Sequence, residues 1–542
     1  MPLFHLFLIS LLPSTHASAQ ALSEFAEYAE KQQAHRSALV TPSNNEYSTT
    51  SASRTTEDHA ELEILDQLGL SDVPQSAKLK DLLLGTGDDD PDASVQVLAG
   101  VLQSRIDEGH GETIFDLGLE DGGESMGFDL ARWNTALQRL REAAETLPAH
   151  CRTLITYNVG GVEECPAKKN DRIKDSWGKL LIRQPADRIE EMAEIRIAVV
   201  GNVDAGKSTM LGVLVKGSLD DGRGKARVNL FRHKHEIESG RTSSVGMEIM
   251  GFDSKGDIVS NTHGRKLTWE EIGKRSAKVI SFTDLAGHER YLRTTVFGML
   301  SSSPNYCLLM VAANNGLIGM SKEHLGIALA LNVPVMVIIT KIDICPPQIL
   351  EETITQLTKI LKSPGARKIP IFVKDMAETI NTATQFVSQR ICPIFQVSNV
   401  TGANLDLVRT FLNILPHRGQ YSADAPFEFL INDTFSVPHV GTVVSGVVKS
   451  GVIHAGDTVL VGPDSLGQFT TTTIKSIERK RIQVSACFAG QSGSFALKRV
   501  RRKEVRKGMV VLRKMDQPPK VYREFIAEGI FFFFFFLPFR ST

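Results

Sequence analysis

Cysteine is scarce and unpaired in this 542-residue chain: six residues, Cys151, Cys165, Cys307, Cys345, Cys392 and Cys487, with no C-x-x-C spacing among them. That scatter speaks against a disulfide frame or a cysteine zinc site and suits reduced thiols in the cytoplasm. Net charge is nearly absent as well, −1 from 61 basic and 62 acidic residues. A globally basic nucleic-acid binder is therefore excluded, and any RNA contact has to come from a local patch. No apolar run is long enough to span a bilayer. Residues 3–12 are apolar and precede Ala17-Ser18-Ala19, the outline of a cleavage site, yet no Lys or Arg comes before them. Without that positive segment the run reads as a misassigned start or a disordered leader rather than a secretory signal. What remains is globular, 42% hydrophobic with mean hydropathy −0.07, and long enough for about three domains.

The chain is organised around residues 195–210. An unbroken apolar run at 195–200 reads as a strand covered on both faces. It leads into Gly201-Asn202-Val203-Asp204-Ala205-Gly206-Lys207-Ser208, which fits G-x-x-x-x-G-K-[ST], and a helical pattern then begins at Lys207. Gly201 and Gly206 allow the tight turn, so the loop amides of Asn202, Val203, Asp204, Ala205, Gly206, Lys207, Ser208 and Thr209 can converge on phosphate oxygens at the positive end of the helix. Lys207 reaches the β- and γ-phosphates and the Ser208 hydroxyl holds Mg²⁺. Strand before and helix after make this a nucleoside triphosphate site.

From residue 191 to 418 apolar strands (278–283, 307–312, 335–340, 394–397) alternate with helical segments, the pattern of an α/β doubly wound parallel sheet. Turns after such strands lie along one edge, where these folds bind ligands. Asp284-Leu285-Ala286-Gly287-His288 follows one strand. Asp284 has the position of a carboxylate that touches Mg²⁺, Gly287 can offer its amide to a γ-phosphate, and His288 can orient the attacking water. Thr340-Lys341-Ile342-Asp343 follows another. A carboxylate at Asp343 would select guanine through its N1 and N2 hydrogens, while Lys341 packs its stem along the base. Ser398-Asn399-Val400 could present amides to the guanine oxygen. Between the first two boxes, residues 220–251 are dense in Gly, Arg, His and Glu and read as a mobile loop. Within it, Thr242 supplies a hydroxyl that completes the Mg²⁺ shell when the γ-phosphate is present.

With these boxes in order, the chain resembles a GTPase of the translation-factor superfamily, related to elongation factor Tu. More specifically it resembles the group of GTP-binding proteins 1 and 2, in the wording GNVDAGKST, LFRHKHEIESGRTSSVG, DLAGHERYLRTTVFGM, GMSKEHLGIALALNVPV and PIFQVSNVTGANLDL. The resemblance implies that Asp204 helps hold the phosphate loop, that Thr242 is a Mg²⁺ ligand, that His288 is catalytic and that Asp343 reads guanine. It also implies GTP/GDP and Mg²⁺ as cofactors, and the ribosome with tRNA or another RNA as partners of a monomeric cytoplasmic protein. Thr340 stands where the superfamily has Asn, so one tie between that turn and the phosphate loop is expected to weaken. Ala286 stands where it has Pro.

Around the nucleotide domain, residues 1–57 read as a disordered leader and 58–190 as a small α/β or mostly helical module, with helices at 62–84, 93–106 and 126–147 and a strand at 152–157. An acidic turn occupies 87–92. Residues 424–517 carry short strands (427–431, 442–448, 458–461, 471–477, 493–497), the pattern of an antiparallel barrel. Its edge is basic: Lys475, Arg479, Lys480, Arg481, Lys498, Arg499, Arg501, Arg502, Lys503, Arg506 and Lys507. This is either a solvated rim or an RNA contact. Residues 518–542, with six consecutive Phe from Phe531, read as the start of a third barrel cut short by an aberrant tail. The expected activity is GTP hydrolysis by a translation-associated factor. A GTP-gated adaptor of the RNA exosome, or a sulfate-activation-type metabolic subunit, stays open beside it. Nothing in the sequence supplies the acceleration of hydrolysis internally, so a partner is expected to do so, the ribosome by the resemblance.

Overall fold

The computed structural model describes residues 75–522 apart from 87–90, 121–122, 166–173, 187–191, 229, 232–233, 235, 237–241, 244, 260–266, 387–389, 418–420 and 516–519. The leader, the centre of the acidic turn, residues 237–241 of the Gly- and Arg-rich stretch and the Phe-rich tail therefore lie outside the described residues.

The N-terminal module comprises α1 (Gln75–Leu84), α2 (Pro91–Glu108), β1 (Glu112–Leu117), α3 (Leu130–Thr146), β2 (His150–Tyr157) and β3 (Trp177–Arg183). Its sheet is antiparallel, in the order β1-β3-β2. The helix expected from residue 126 starts at Leu130, because Asp129 caps it by accepting from Arg132 N, a bond worth about 1 kcal/mol. Strand alternation divides the sheet between two cores. Phe115, Leu180 and Ile182 join Leu98, Leu102, Trp133 and Leu140 inside the module. Ile114, Leu154 and Ile155 face the nucleotide domain instead. The strand at 177–183 escaped the sequence reading because Lys and Arg interrupt it.

The nucleotide domain runs β4 (Ala193–Gly201), α4 (Lys207–Lys216), α5 (Lys225–Val228), β5 (Gly246–Phe252), α6 (Trp269–Arg275), β6 (Lys278–Asp284), α7 (Leu292–Ser302), β7 (Tyr306–Ala312), α8 (Met320–Ala330), β8 (Val335–Thr340), α9 (Pro347–Leu361), β9 (Ile369–Phe372), α10 (Met376–Gln385), β10 (Ile391–Gln396) and α11 (Leu405–Ile414). The sheet order is β5-β6-β4-β7-β8-β10-β9. It is parallel except at one edge, where β5 pairs antiparallel with β6. The sheet is thus mixed rather than wholly parallel, and β5 takes the end of the stretch expected to be loop. Glycine at both Gly246 and Gly251 hid that strand from a reading based on apolar runs. Alternate residues of β4 enter opposite cores, Ile195, Ile197 and Val199 on one face, Ala198 and Val200 on the other.

The barrel comprises β11 (Glu428–Val437), β12 (Gly441–Ser450), β13 (Val452–His454), β14 (Thr458–Gly462), β15 (Thr470–Arg479), β16 (Ile482–Val484), β17 (Ala486–Phe488), β18 (Ser492–Leu497) and β19 (Val510–Arg513). Six strands close it in the order β14-β19-β11-β12-β18-β15, with β15 returning to β14. Closure leaves no free edge among those six. Phe429, Val444, Val459, Ile474, Phe495 and Val511 fill the interior.

Buried charge joins the three units. Glu194 in β4 accepts from Lys480 Nζ at 2.7 Å, Ser492 Oγ at 2.6 Å and Ser281 Oγ at 2.9 Å, with Arg479 Nη2 at 3.5 Å. Arg196 reaches Tyr421 Oη at 2.6 Å and the Gly490 carbonyl. On the opposite side Glu112 pairs with Arg183 and Lys278, and those two cations also donate to Asn413 O at 3.0 and 2.8 Å. Arg479 and Lys480 therefore leave the basic edge read from the sequence, since both are buried against Glu194. Arg481 lies over the Trp269 ring at 5.7 Å.

Candidate functional site

The turns that follow β4, β6, β8 and β10 meet at one edge of the sheet. At the first, Gly201 (φ 143°), Asp204 (φ 59°) and Gly206 (φ 83°) take the left-handed backbone needed for a tight loop. The loop is held from behind by α8. Asn202 N donates to Ser321 Oγ at 2.9 Å, and Gly201 N donates to His324 Nδ1 at 3.2 Å. His324 is fully buried, and burial lowers its pKa to about 3, so the ring stays neutral and can accept. Neither residue was singled out from the sequence, because a Ser and a His on an apolar helix carry no spacing signal.

Lys207 heads α4, buried, with Nζ on the carbonyls of Gly201 at 3.1 Å and Asn202 at 2.8 Å. Burial lowers its pKa to about 8, against the pull of Asp284 and Asp204. A polyphosphate arriving there would raise it again, holding the ammonium charged. Beside it, Ser208 Oγ lies 2.6 Å from Asp284 Oδ2 and 2.8 Å from Thr242 Oγ1. Asp284 is buried, its carboxyl pushed up by desolvation, and its Oδ1 has no hydrogen-bond partner among the described residues. Two hydroxyls and one under-satisfied carboxylate form an all-oxygen set of the kind Mg²⁺ takes together with substrate phosphates. Among the described residues, no group of three or more His, Cys, Asp or Glu suits another metal.

Gly287 lies so close to the loop that a Cβ there would fall 2.6 Å from Gly201 O. Only glycine lets the second turn approach a phosphate this nearly. His288 follows, half-buried, with Nδ1 accepting from Arg290 N at 3.2 Å. Val203, Asp204, Gly206, Lys207, Ser208, Thr209, Thr242, Gly287 and His288 line one open cleft. Arg227, on α5, lines it too and was missed in the sequence, where it is one basic residue among many.

The other two turns lie side by side because β8 and β10 are neighbours. Thr340 Oγ1 donates to Ala205 O at 2.9 Å, so the tie expected to weaken is made by the threonine hydroxyl. Lys341 takes φ 63°, and Asp343 is exposed. Ser398 is buried, its Oγ accepting from Val400 N at 3.2 Å and Thr401 N at 3.0 Å. Asn399 O accepts from Asp220 N at 2.9 Å, which links this turn to the segment before α5. Glu236 accepts from Ser243 N at 2.8 Å and its Oγ at 2.9 Å, fixing the backbone next to Thr242.

Two family models match: the elongation factor Tu GTP binding domain over residues 193–417, and elongation factor Tu domain 2 over 441–512. GTP-binding protein 1 of Xenopus laevis is 50% identical over 429 residues, covering 79% of this chain and 63% of the relative. The human GTP-binding protein 2 is 41% identical over 435 residues, 79% of this chain and 70% of the relative. The chain thus spans less than two thirds of the frog protein's length. Among solved structures, translation elongation factor SelB from Methanococcus maripaludis with the GTP analogue GppNHp matches at TM-score 0.43 and 20% identity, over 60% of this chain and 55% of that one. Among the described residues no helix is long and apolar enough to cross a membrane. By the two family models and the relatives matched in sequence, the chain belongs to the elongation factor Tu-like GTPases, in the group of GTP-binding proteins 1 and 2.

Proposed function

We propose that the chain binds GTP with Mg²⁺, hydrolyses it to GDP and phosphate, and works in the cytoplasm as a translation-associated factor on the ribosome with tRNA or another RNA. The observation that carries this reading is Ser208 Oγ lying within 2.8 Å of both Thr242 Oγ1 and Asp284 Oδ2, with Ser208, Thr242, Lys207 and His288 lining a single cleft. Ser208, Thr242 and Asp284 would hold the metal, which when bound neutralises charge on the β- and γ-phosphates. Lys207 exchanges its loop carbonyls for phosphate oxygens. Gly287 offers its amide to the γ-phosphate, and His288 aligns the water. Asp343 and Lys341 take the base, with Ser398, Asn399 and Val400 closing over it. Departure of the γ-phosphate removes what draws Thr242 inward, and the altered segment changes affinity for the partner. On the barrel, exposed Lys475, Lys498, Arg499, Arg501, Arg502, Lys503 and Arg506 support an RNA contact on a protein with no net excess of positive charge. Lys507 sits 3.1 Å from Asp433 and is partly neutralised.

The test is GTP turnover with and without ribosomes, and nucleotide selectivity after Asp343→Asn. Ribosomes should accelerate hydrolysis, and the variant should shift preference from GTP towards xanthosine triphosphate. Turnover indifferent to ribosomes sinks the translation reading. RNA-dependent capture of the exosome under those conditions would replace it with the adaptor. Unchanged selectivity sinks the guanine assignment.

A further inference from the structure

Of the residues lining the cleft, Arg227 has no task in the reading above, and the fold holds it in place through several independent contacts. The Asp220 carboxylate accepts from Gly222 N at 3.0 Å, Gly224 N at 3.1 Å and Ala226 N at 2.9 Å, winding the turn that leads into α5. Asp221 adds bonds from Arg223 N at 2.9 Å and Lys225 N at 3.2 Å. Lys216 Nζ donates to Ala226 O at 3.2 Å. Gly212 in α4 gives Ala226 room, since a Cβ at that position would overlap the Ala226 carbonyl. The Arg227 side chain lies across Gly224, where a Cβ would come within 3.0 Å of Cζ. Its guanidinium makes no hydrogen bond or ion pair with any described residue. Five donors are thus carried to the phosphate cleft on a braced turn and left unspent.

We propose that Arg227 is a catalytic residue of this GTPase, donating from within the chain to the β- and γ-phosphate oxygens. This rests on the GTPase reading above. In the step it serves, a water oxygen bonds to the γ-phosphorus. The bond from γ-phosphorus to the β–γ bridging oxygen breaks, its electron pair stays with GDP, and the water's proton leaves with inorganic phosphate. Negative charge builds on the bridging and β-phosphate oxygens as that bond breaks, and a planar bidentate cation is the group that matches it. The arrangement also gives the base site a route to the chemistry. The Asp220 amide rests on Asn399 O, so the turn that holds the base and the turn that presents Arg227 share a hydrogen bond.

The experiment is single-turnover GTP hydrolysis by the full chain without ribosomes, alongside equilibrium binding of GppNHp and GDP, for the wild type, Arg227→Ala and Arg227→Lys. An arginine supplied in cis places unaided turnover near ~10⁻² s⁻¹, against ~10⁻⁴ s⁻¹ for a GTPase lacking one. Arg227→Ala should fall about 10²-fold, to the lower figure. It should lose more affinity for GppNHp than for GDP, and regain rate with added guanidinium. Arg227→Lys, with charge but no fork, should lie between. Wild-type rate and GppNHp preference retained in Arg227→Ala overturn this proposal alone. A wild-type chain that binds neither guanine nucleotide overturns the GTPase reading and this one with it.

Discussion

His288 shows what single side chains decide here. Among the described residues its ring is bonded only locally, to Arg290 N, and sits 6.2 Å from the Tyr291 ring. Removing it breaks no bond to the phosphate loop among those residues. His288→Ala should therefore lower ribosome-stimulated hydrolysis by about 10²-fold or more, as for the loss of a positioned proton-transfer group. GTP affinity, read by equilibrium titration, should hardly move. A matching loss of binding would make His288 a structural residue. Lys207, Ser208, Asp284 and Gly287 could be placed at one sheet edge from the sequence because each stands at a fixed offset from a strand end, whereas Thr242, before the hidden β5, was read from its loop and the family resemblance. Arg227, Ser321, His324 and Glu236 were not legible there. Ser321 and His324 touch the phosphate loop only across the fold, Glu236 acts through a bond within its own loop, and Arg227 is known only by the cleft it lines.

Among elements, the turn after β8 and the phosphate loop are joined by one hydroxyl, Thr340 Oγ1 on Ala205 O. Thr340→Val keeps the volume and deletes the donor, leaving a buried carbonyl short of a partner at about 1–3 kcal/mol. Because on the proposed reading both turns contact the nucleotide, GDP and GTP affinity should fall together, by about tenfold for 1.4 kcal/mol. Thr340→Asn should restore most of it. Unchanged affinity in the valine variant would mean the turns hold each other by other means. Strand identity followed the same logic as the residues. The long apolar strands β4, β7 and β8 announced themselves. By contrast β5, with its glycines, and the three-residue strands β13, β16 and β17 needed partners to become visible. Their pairing is tertiary, and a single strand carries little of it.

For the molecule as a whole, Glu194 and Glu112 do what apolar area does elsewhere. Breaking one side of a buried ion cluster costs about 3–5 kcal/mol, because the partners are left charged and dry. Glu194→Gln should lower the denaturant midpoint accordingly, and adding Lys480→Met should recover part of the loss. A single variant as stable as the wild type would show that the barrel is held without this cluster. The opposite interface carries a pH signature. The His110 and His417 rings lie 4.3 Å apart. Burial lowers both pKa values, that of His417 to about 3, helped by His110, Arg196 and Lys278 and opposed by Glu112. The folded state keeps His417 neutral while the unfolded chain takes up a proton near its ordinary 6.5. Stability is thus full above that value and declines as pH falls from it towards 3. Carboxylates with depressed pKa values, such as Glu112, add their share only below about 4.5. Denaturant midpoints at pH 7 and pH 5 read His110 and His417 together with the buried His324, and His417→Gln should lower the slope by its own share. A flat midpoint, or the same slope in His417→Gln, would contradict the assignment. One consequence follows from β4, which carries Glu194 and Arg196 at one end and opens the phosphate loop at the other. Ion clusters weld this strand to its surroundings, whereas the Asp220 turn, α5 and Thr242 are fastened by individual hydrogen bonds. News of a cleaved phosphate therefore has only the weaker fastenings through which to travel. On the proposed reading, a partner on the barrel would have to sense the nucleotide's state through that turn rather than through the sheet beneath.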